Sequence, residues 1–340
     1  MSAQANLAGM YPPVGDSVWD THLMWQPIPV HTVPEREDEI LAMKKDCPVY
    51  DTEKAKMLNS KEYKEKLKTY QWLLNFLTHY TGSNIRDFNN IEYIYNTLYI
   101  ESLYNFTLPD WTKTIYPDKM EKPACYSFTV STGTPLLARL KVGPLLKEIL
   151  KHIENVINKG HTSSDLKLSL YSAHDDTVGS VLNALNIFDN KCPVYTSAII
   201  IEVVDGKADN SSGSDFIRIS YRNFTGIEEP HVLNIPNCGK MCPIPTFKKL
   251  YNNLLTVSWE KECGLDNKYI TVAMLVFPVA IMLYVGVTIF SRKRKPISEY
   301  MTALDSRTLR TNALYQAIIT PSPGNDEVQI PAFCRLSCRP

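Results

Sequence analysis

Leu166-Lys-Leu-Ser-Leu-Tyr-Ser-Ala-His174-Asp175-Asp176-Thr177 reads as a buried strand that delivers a His-Asp pair onto the start of a helix. Leu166, Leu168 and Leu170 alternate as strand residues do, and Val178, Val181, Leu182 and Leu185 then recur at helical spacing. The pair therefore falls in the turn between the two. In an open α/β sheet such a turn lies at the carboxyl end of a strand, where ligand crevices form and where helix-start N–H groups attract anions. Phosphate is the first ligand this suggests. An imidazolium can hold a phosphoryl oxygen, and a neighbouring carboxylic acid can give a proton to a departing alkoxide. Taken alone, the pair reads more simply as a helix start, with Asp175 or Asp176 as its N-cap.

Other segments change that weighting. Trp25-Gln-Pro-Ile-Pro-Val-His31-Thr together with Ser172-Ala-His174-Asp175 resembles the histidine acid phosphatase family, the lysosomal and prostatic type of phosphomonoesterase. Further matches are Met1-Ser-Ala-Gln-Ala-Asn-Leu-Ala-Gly, Tyr104-Asn-Phe-Thr-Leu-Pro-Asp-Trp111, Arg139-Leu-Lys-Val-Gly-Pro-Leu-Leu146 and Pro236-Asn-Cys238-Gly-Lys-Met-Cys242-Pro. They run in the expected order over roughly residues 1 to 263, which one short motif matching by chance does not produce. The resemblance implies Asp175 as proton donor and His174 as a phosphate contact, with no cofactor and no metal. It also implies an α/β fold, a phosphoglycerate-mutase-like doubly wound mixed sheet with an inserted helical cap subdomain.

Enzymes of this family carry a nucleophilic His in an Arg-His-Gly-x-Arg-x-Pro motif, and no such motif occurs in these 340 residues. A further phosphate-binding Arg of the family precedes the Met-Ser-Ala segment. The nucleophilic His and that Arg are thus both missing. Nor does Met1-Ser-Ala-Gln-Ala-Asn have the basic and apolar regions of a signal peptide. The expectation is an N-terminally truncated product, either an incomplete gene model or a shortened isoform.

Residues 1–47 and 131–265 are expected to form the sheet domain, with strands up to residue 47 and at Leu166 to Tyr171, Ala198 to Val204 and Phe216 to Tyr221. Residues 48–130 are expected to form the helical cap. There, Tyr63, Leu67, Tyr70, Leu74 and Leu77 mark one helical stripe, and Phe88, Ile91, Tyr95 and Leu98 another. Both stripes read as ordinary core. A third helix carrying Leu146, Ile149, Leu150, Ile153 and Ile157 should pack on the sheet. About 265 residues suffice for one large domain with such an insertion.

The segment from Tyr269 to Ser291 carries no charge and is followed at once by Arg292-Lys-Arg-Lys295. As a helix it rises roughly 34 Å, enough to span a bilayer, so a C-terminal transmembrane helix at 269–291 is expected. The positive-inside rule then makes 292–340 a cytosolic tail and places residues 1–268 in the lumen or outside the cell. That describes a single-pass type I membrane protein of a lysosome, an endosome or the cell surface. The sequons at Asn105, Asn210 and Asn223 all precede the span, as glycosylation requires. So do six of the eight cysteines, which suits disulfides in an oxidising compartment. By the family resemblance, Cys47 pairs with Cys263 and Cys238 with Cys242. The family's third bridge needs cysteines near Ile100 and Ala198, which this chain lacks, so a Cys125–Cys192 bridge is conjecture.

His31 is expected in a strand that orders the crevice wall, while His22, His79, His152, His161 and His231 read as surface or turn residues. Lys and Arg together number 36 and Asp and Glu 36, and without a basic face the chain is not a nucleic-acid binder. The tail reads as disordered, with Cys334 and Cys338 reduced, and its Tyr315-Gln-Ala-Ile318 has the form that sorting adaptors read. The expected ligand is a small-molecule phosphomonoester. Oligomeric state is undecided, a homodimer being one option. Two functions follow: a membrane acid phosphatase acting through a phosphohistidine, or a non-catalytic type I membrane glycoprotein that binds phosphorylated or protein ligands.

Overall fold

The computed structural model describes residues 1–158, 168–206, 215–224, 226, 229–256, 258–265, 276–278 and 281–285. Met1–Leu265 form one compact unit and Asp266–Pro340 a second. In the first unit the helices are α1 (Ser2–Met10), α2 (Pro48–Leu58), α3 (Lys61–Thr69), α4 (Gln71–Thr81), α5 (Phe88–Leu103), α6 (Asp118–Val130), α7 (Pro135–Asn158), α8 (Asp175–Ala184), α9 (Ile244–Leu250) and α10 (Trp259–Glu262). The strands are β1 (Ala198–Val204), β2 (Phe216–Arg222), β3 (His231–Val232) and β4 (Cys242–Pro243).

Local chemistry sets the helix ends between residues 48 and 130. Ser60 accepts the Tyr63 N–H at 3.2 Å to open α3, and Asp87 accepts the Asn90 N–H at 2.8 Å to open α5. Gly82, at φ +69°, closes α4 in the left-handed conformation that glycine adopts without steric cost. The stripe from Tyr63 to Leu77 is divided between α3 and α4, because Tyr70 leaves helical geometry at φ −105° and ψ 10°. Phe88 is fully buried at the centre of this layer and meets Tyr63, Tyr70 and Tyr126 edge-on, with ring centroids 5.7, 5.7 and 4.7 Å away.

A second core lies between α7, α8 and the sheet. Helix α7 begins at Pro135, well before the stripe that starts at Leu146, and it contains Pro144. A proline cannot donate to the carbonyl four residues back. That carbonyl, on Leu140, instead accepts the indole N–H of buried Trp259 at 2.9 Å. The preceding Gly143 has no side chain for a reason: a Cβ there would stand 2.4 Å from the Leu254 carbonyl oxygen. Arg139 secures the same region with a forked pair to Glu262 at 2.5 and 2.8 Å. Disulfides join Cys47 to Cys263, Cys125 to Cys192 and Cys238 to Cys242.

Among the described residues the sheet has four strands, and every pairing is antiparallel. Helices packed on a sheet make the fold α/β, but the mixed, doubly wound sheet expected from sequence is not what these residues form. β2 is central, turning Ile217, Ile219 and Tyr221 into the core. β1 covers its full length, with Arg218 forked onto Glu202 directly opposite.

The expected strand at Leu166 to Tyr171 is corrected too. Residues 166 and 167 lie outside the described residues, 168–171 are not a strand, and Leu168 and Leu170 are 51% and 45% exposed. Alternation gives a segment two faces, but a strand also needs a neighbour to complete its ladder. No strand forms up to residue 47 either. Pro27 and Pro29 remove ladder donors from Trp25–His31. Most of the apolar segment 269–291 lies outside the described residues. Its pieces 276–278 and 281–285 are helical, and no described helix is long and apolar enough to cross a membrane.

Helix α8 is set against α6 by one close contact, where a Cβ on Gly179 would lie 2.7 Å from Cβ of Phe128. Gly179→Ala should therefore push the two helices apart and destabilise the fold by about 1–3 kcal/mol, despite alanine's better helix propensity. Urea unfolding measures it; an unchanged or raised midpoint would show that the helices yield freely.

Candidate active site

Helix α8 starts at the His-Asp pair expected to carry the chemistry. Its N-cap is His174, at φ −114° and ψ 163°, so neither Asp175 nor Asp176 caps it. The His174 N–H reaches Thr177 Oγ1 at 3.4 Å, and the buried Thr177 hydroxyl donates to the Leu41 carbonyl at 2.7 Å. That bond ties the first turn to the segment ahead of α2. Asp175 and Asp176 then occupy the first two helical positions, where acidic side chains suit the helix dipole.

The two aspartates face different partners. Asp176 Oδ2 lies 3.1 Å from Lys141 Nζ of α7, and Asp176 Oδ1 accepts the Ser131 hydroxyl at 3.3 Å. Ser131 also shares a 2.9 Å bond with Ser180, and its carbonyl accepts the Tyr50 hydroxyl at 2.8 Å. Asp175 has one oxygen on the Asp176 N–H at 2.8 Å. Its carboxyl is held above its ordinary value, first by the loss of surrounding water and then by the Asp176 charge, against lowering by the Asp176 N–H and by His174. Asp175 keeps accessible surface nonetheless. The upward direction stands, because neighbouring protein displaces part of the carboxyl's hydration while the residue stays open to solvent on one side.

Sequence reading missed the opposing wall. Glu92 of α5 is pushed up to about 8, by burial first and then by the charges of Asp175 and Asp176. It belongs to the inner face of α5, one position from Ile91 and four from Phe88, so a helical wheel finds it once that face is known to be buried. Tyr195 is raised by burial, then by Asp175, Tyr99, Tyr104 and Glu92, and it stacks on Tyr99 with centroids 6.1 Å apart. Lys141 was missed as well, although a lysine within Leu-Lys-Val-Gly-Pro-Leu-Leu is the visible anomaly of an apolar run.

Other expected residues fall elsewhere. His31 is exposed in an irregular stretch, outside any strand, because the prolines around it prevent the strand that was to carry it. His174 has Glu35 as an electrostatic neighbour; the Glu35 carboxyl is lowered chiefly by its bond from Lys44. His22 is 96% exposed, His152 bonds Glu148 at 3.0 Å, and His231 packs edge-on to Tyr221; His161 lies outside the described residues. Asn105 lies at φ +56° in an exposed turn. Asn223 is part of the fold, accepting from the Val194 N–H and the Ser197 hydroxyl, both at 2.9 Å, and donating to the Cys192 carbonyl at 3.2 Å. Asn210 and Tyr315–Ile318 lie outside the described residues.

Among the described residues no group of three or more His, Cys, Asp or Glu is placed to hold a metal ion. A cavity of about 430 Å³ opens between Glu62, Tyr126 and Asn183, but neither His174 nor Asp175 lines it. It has no cation and no acid–base pair on its walls.

Known proteins share much of this sequence. Over 267 residues the chain is 35% identical to a lysosomal acid phosphatase of Xenopus laevis, a match covering 77% of this chain and 60% of that protein. It is 34% identical to a prostatic acid phosphatase of Bos taurus, over 78% of this chain and 68% of the relative. A venom acid phosphatase of Apis mellifera is 33% identical, over 79% and 67% respectively. The chain thus spans about 60% of the length of the first of these relatives. The profile of the histidine phosphatase superfamily, branch 2, matches residues 1–222, and it is to this family that the chain belongs.

Proposed function

We propose that this chain provides the proton-donor half of a phosphomonoesterase site, of the kind its acid phosphatase relatives are named for. The observation that carries the reading is Asp175, a carboxyl beside His174 at the start of α8 that loss of surrounding water holds above its ordinary value. A general acid must hold a proton when the alkoxide departs, and a raised carboxyl does so over a wider pH range. His174 contacts the phosphoryl group. In the phosphohistidine route, Asp175 protonates the leaving alcohol and, now a carboxylate, takes a proton from the water that clears the phosphoenzyme.

Acid conditions suit the wall opposite. Below about 8 the Glu92 carboxyl is neutral, so it adds no negative charge beside the aspartates where a phosphate dianion has to enter.

The second reading, a non-catalytic glycoprotein that binds phosphorylated or protein ligands, is favoured by one observation: these 340 residues contain no Arg-His-Gly-x-Arg-x-Pro motif. Either way we infer a type I orientation, with residues 48–130 capping the crevice, 269–291 spanning the bilayer and 292–340 in the cytosol. The disulfides of the first unit suit a lumenal or extracellular compartment.

Expressed with a segment that supplies the Arg-His-Gly motif, Asp175→Asn should slow hydrolysis of an alkyl phosphate about 10²–10⁴-fold and of p-nitrophenyl phosphate far less. An alkoxide needs the proton; p-nitrophenolate leaves largely unaided. Equal losses for the two esters take the donor role from Asp175, and no turnover at all decides for the non-catalytic reading.

Glu92 gives a pH test. Its ordinary value is 4.5 and its folded value about 8, so between these the folded state holds a proton that the unfolded state has lost. Stability then falls as pH rises through this window. Glu92→Gln should remove that fall, and in urea unfolding its advantage over the parent should be larger at pH 8 than at pH 5. An advantage independent of pH would mean that Glu92 is ordinarily hydrated.

Sealed microsomes test the orientation. Added protease should trim the tail and spare a glycosylated Met1–Leu265 unit; digestion of that unit with protection of the tail reverses the assignment.

A further inference from the structure

Adjacent carboxyls at the start of one helix pose an electrostatic problem. Asp175 has to keep a proton to act as an acid, yet must release it in the turnover step, and a bare neighbouring charge would hold that proton too tightly. Lys141 stands where this is resolved. Its side chain is only 11% exposed, and its ammonium lies 3.1 Å from Asp176 Oδ2, 3.5 Å from the Met43 carbonyl and 6.0 Å from the ring centroid of Tyr50. A lysine buried to this degree is placed by its partners and not by solvent.

We propose that Lys141 is a positioning residue for Asp175: its ammonium clamps Asp176 against α7 and screens the Asp176 charge from the neighbouring Asp175 carboxyl. The inference rests on the reading of Asp175 as the proton donor.

The surrounding groups are consistent with one cation serving this purpose. Facing the aspartates are Glu92 from α5, Tyr195 from the loop after α8, Tyr50 from α2, Ser131 from the end of α6, and His174 beside them, itself near the Glu35–Lys44 pair. Tyr50 is raised by burial first and by Asp176 next, so its phenol stays neutral. Glu92 is neutral below about 8. Asp176 is therefore the carboxyl that Lys141 pairs with directly, and Asp175, bonded to the Asp176 N–H at 2.8 Å, is the group that feels whether the pairing is made.

A plain staple between α7 and α8 predicts something different. Removing either partner would then loosen the helix start alike, and the Asp175 midpoint would move the same way in both variants or stay still. Screening predicts opposite signs. In Lys141→Met the Asp176 charge is uncompensated and the Asp175 midpoint rises; in Asp176→Asn the charge is gone and the midpoint falls. The double variant, which removes a neutral pair, returns near the parent, and Lys141→Arg restores it.

The measurement is the carboxyl carbon signal of Asp175 in the full chain labelled with ¹³C-carboxyl aspartate, assigned through Asp175→Asn and followed against pH. Opposite displacements in the two single variants, cancelling in the double, support the proposal. Unmoved midpoints, or two displacements of the same sign, overturn it. Should Lys141→Met fail to fold, Lys141→Gln takes its place, and its midpoint must rise. The signal needs no turnover: opposite displacements in a protein whose Asp175→Asn variant loses nothing overturn the proton-donor reading while the screening stands, and unmoved midpoints in an active enzyme overturn the screening alone.

Discussion

Everything at the candidate site depends on where helix α8 begins, and that is fixed by contact on two sides. Gly179 lets the helix sit directly on Phe128, at a separation no other side chain would allow. Two and three residues earlier, Thr177 is anchored to the Leu41 carbonyl, and Asp176 is held by Lys141 and Ser131. Steric closeness sets the distance between α8 and α6, and directional bonds set the rotation of its first turn. Together they determine the direction in which His174 and Asp175 leave the backbone. Neither could do so alone: close packing without the polar bonds leaves the turn free to fray, since the first N–H groups of a helix have no partners within it.

The polar bonds are strong because they are sheltered. Ser131, Ser180 and Thr177 are buried, so each hydroxyl has to find a protein partner, and each finds one. The same shelter raises the carboxyls of Asp175 and Glu92. Packing and acidity thus have a single origin in this molecule. The helices that displace water around Asp175 and Glu92 also raise both acids, and the neighbouring Asp176 has a lysine against it.

Support for the site is itself layered. Pro144 leaves the Leu140 carbonyl without a helical donor, so that it accepts from Trp259, and Gly143 admits the Leu254 carbonyl to the same surface. The Arg139–Glu262 fork and the Cys47–Cys263 disulfide fasten the end of the unit there. Helix α7 is therefore held along its outer side while Lys141, on the same helix, reaches toward α8.

Much of this was legible in the residues. The His174-Asp175 turn, the helix after it, the aromatic stripes of residues 63–98 and the strands Ala198–Val204 and Phe216–Arg222 are local patterns, and periodicity or a short motif reveals them. Strandedness before His174 was not decided locally. Leu168 and Leu170 alternate correctly but have no ladder partner among the described residues, and Pro27 and Pro29 keep the segment around His31 irregular. The sequence by itself determined the family, the helix start that carries the His174-Asp175 pair, and which side chains are candidates for acid and phosphate contact there. Only the tertiary structure decided that Lys141 meets Asp176 and that Glu92 faces both aspartates, because those groups come from separate helices. Their charge states are properties of a shared, partly dry space that does not exist until the helices pack.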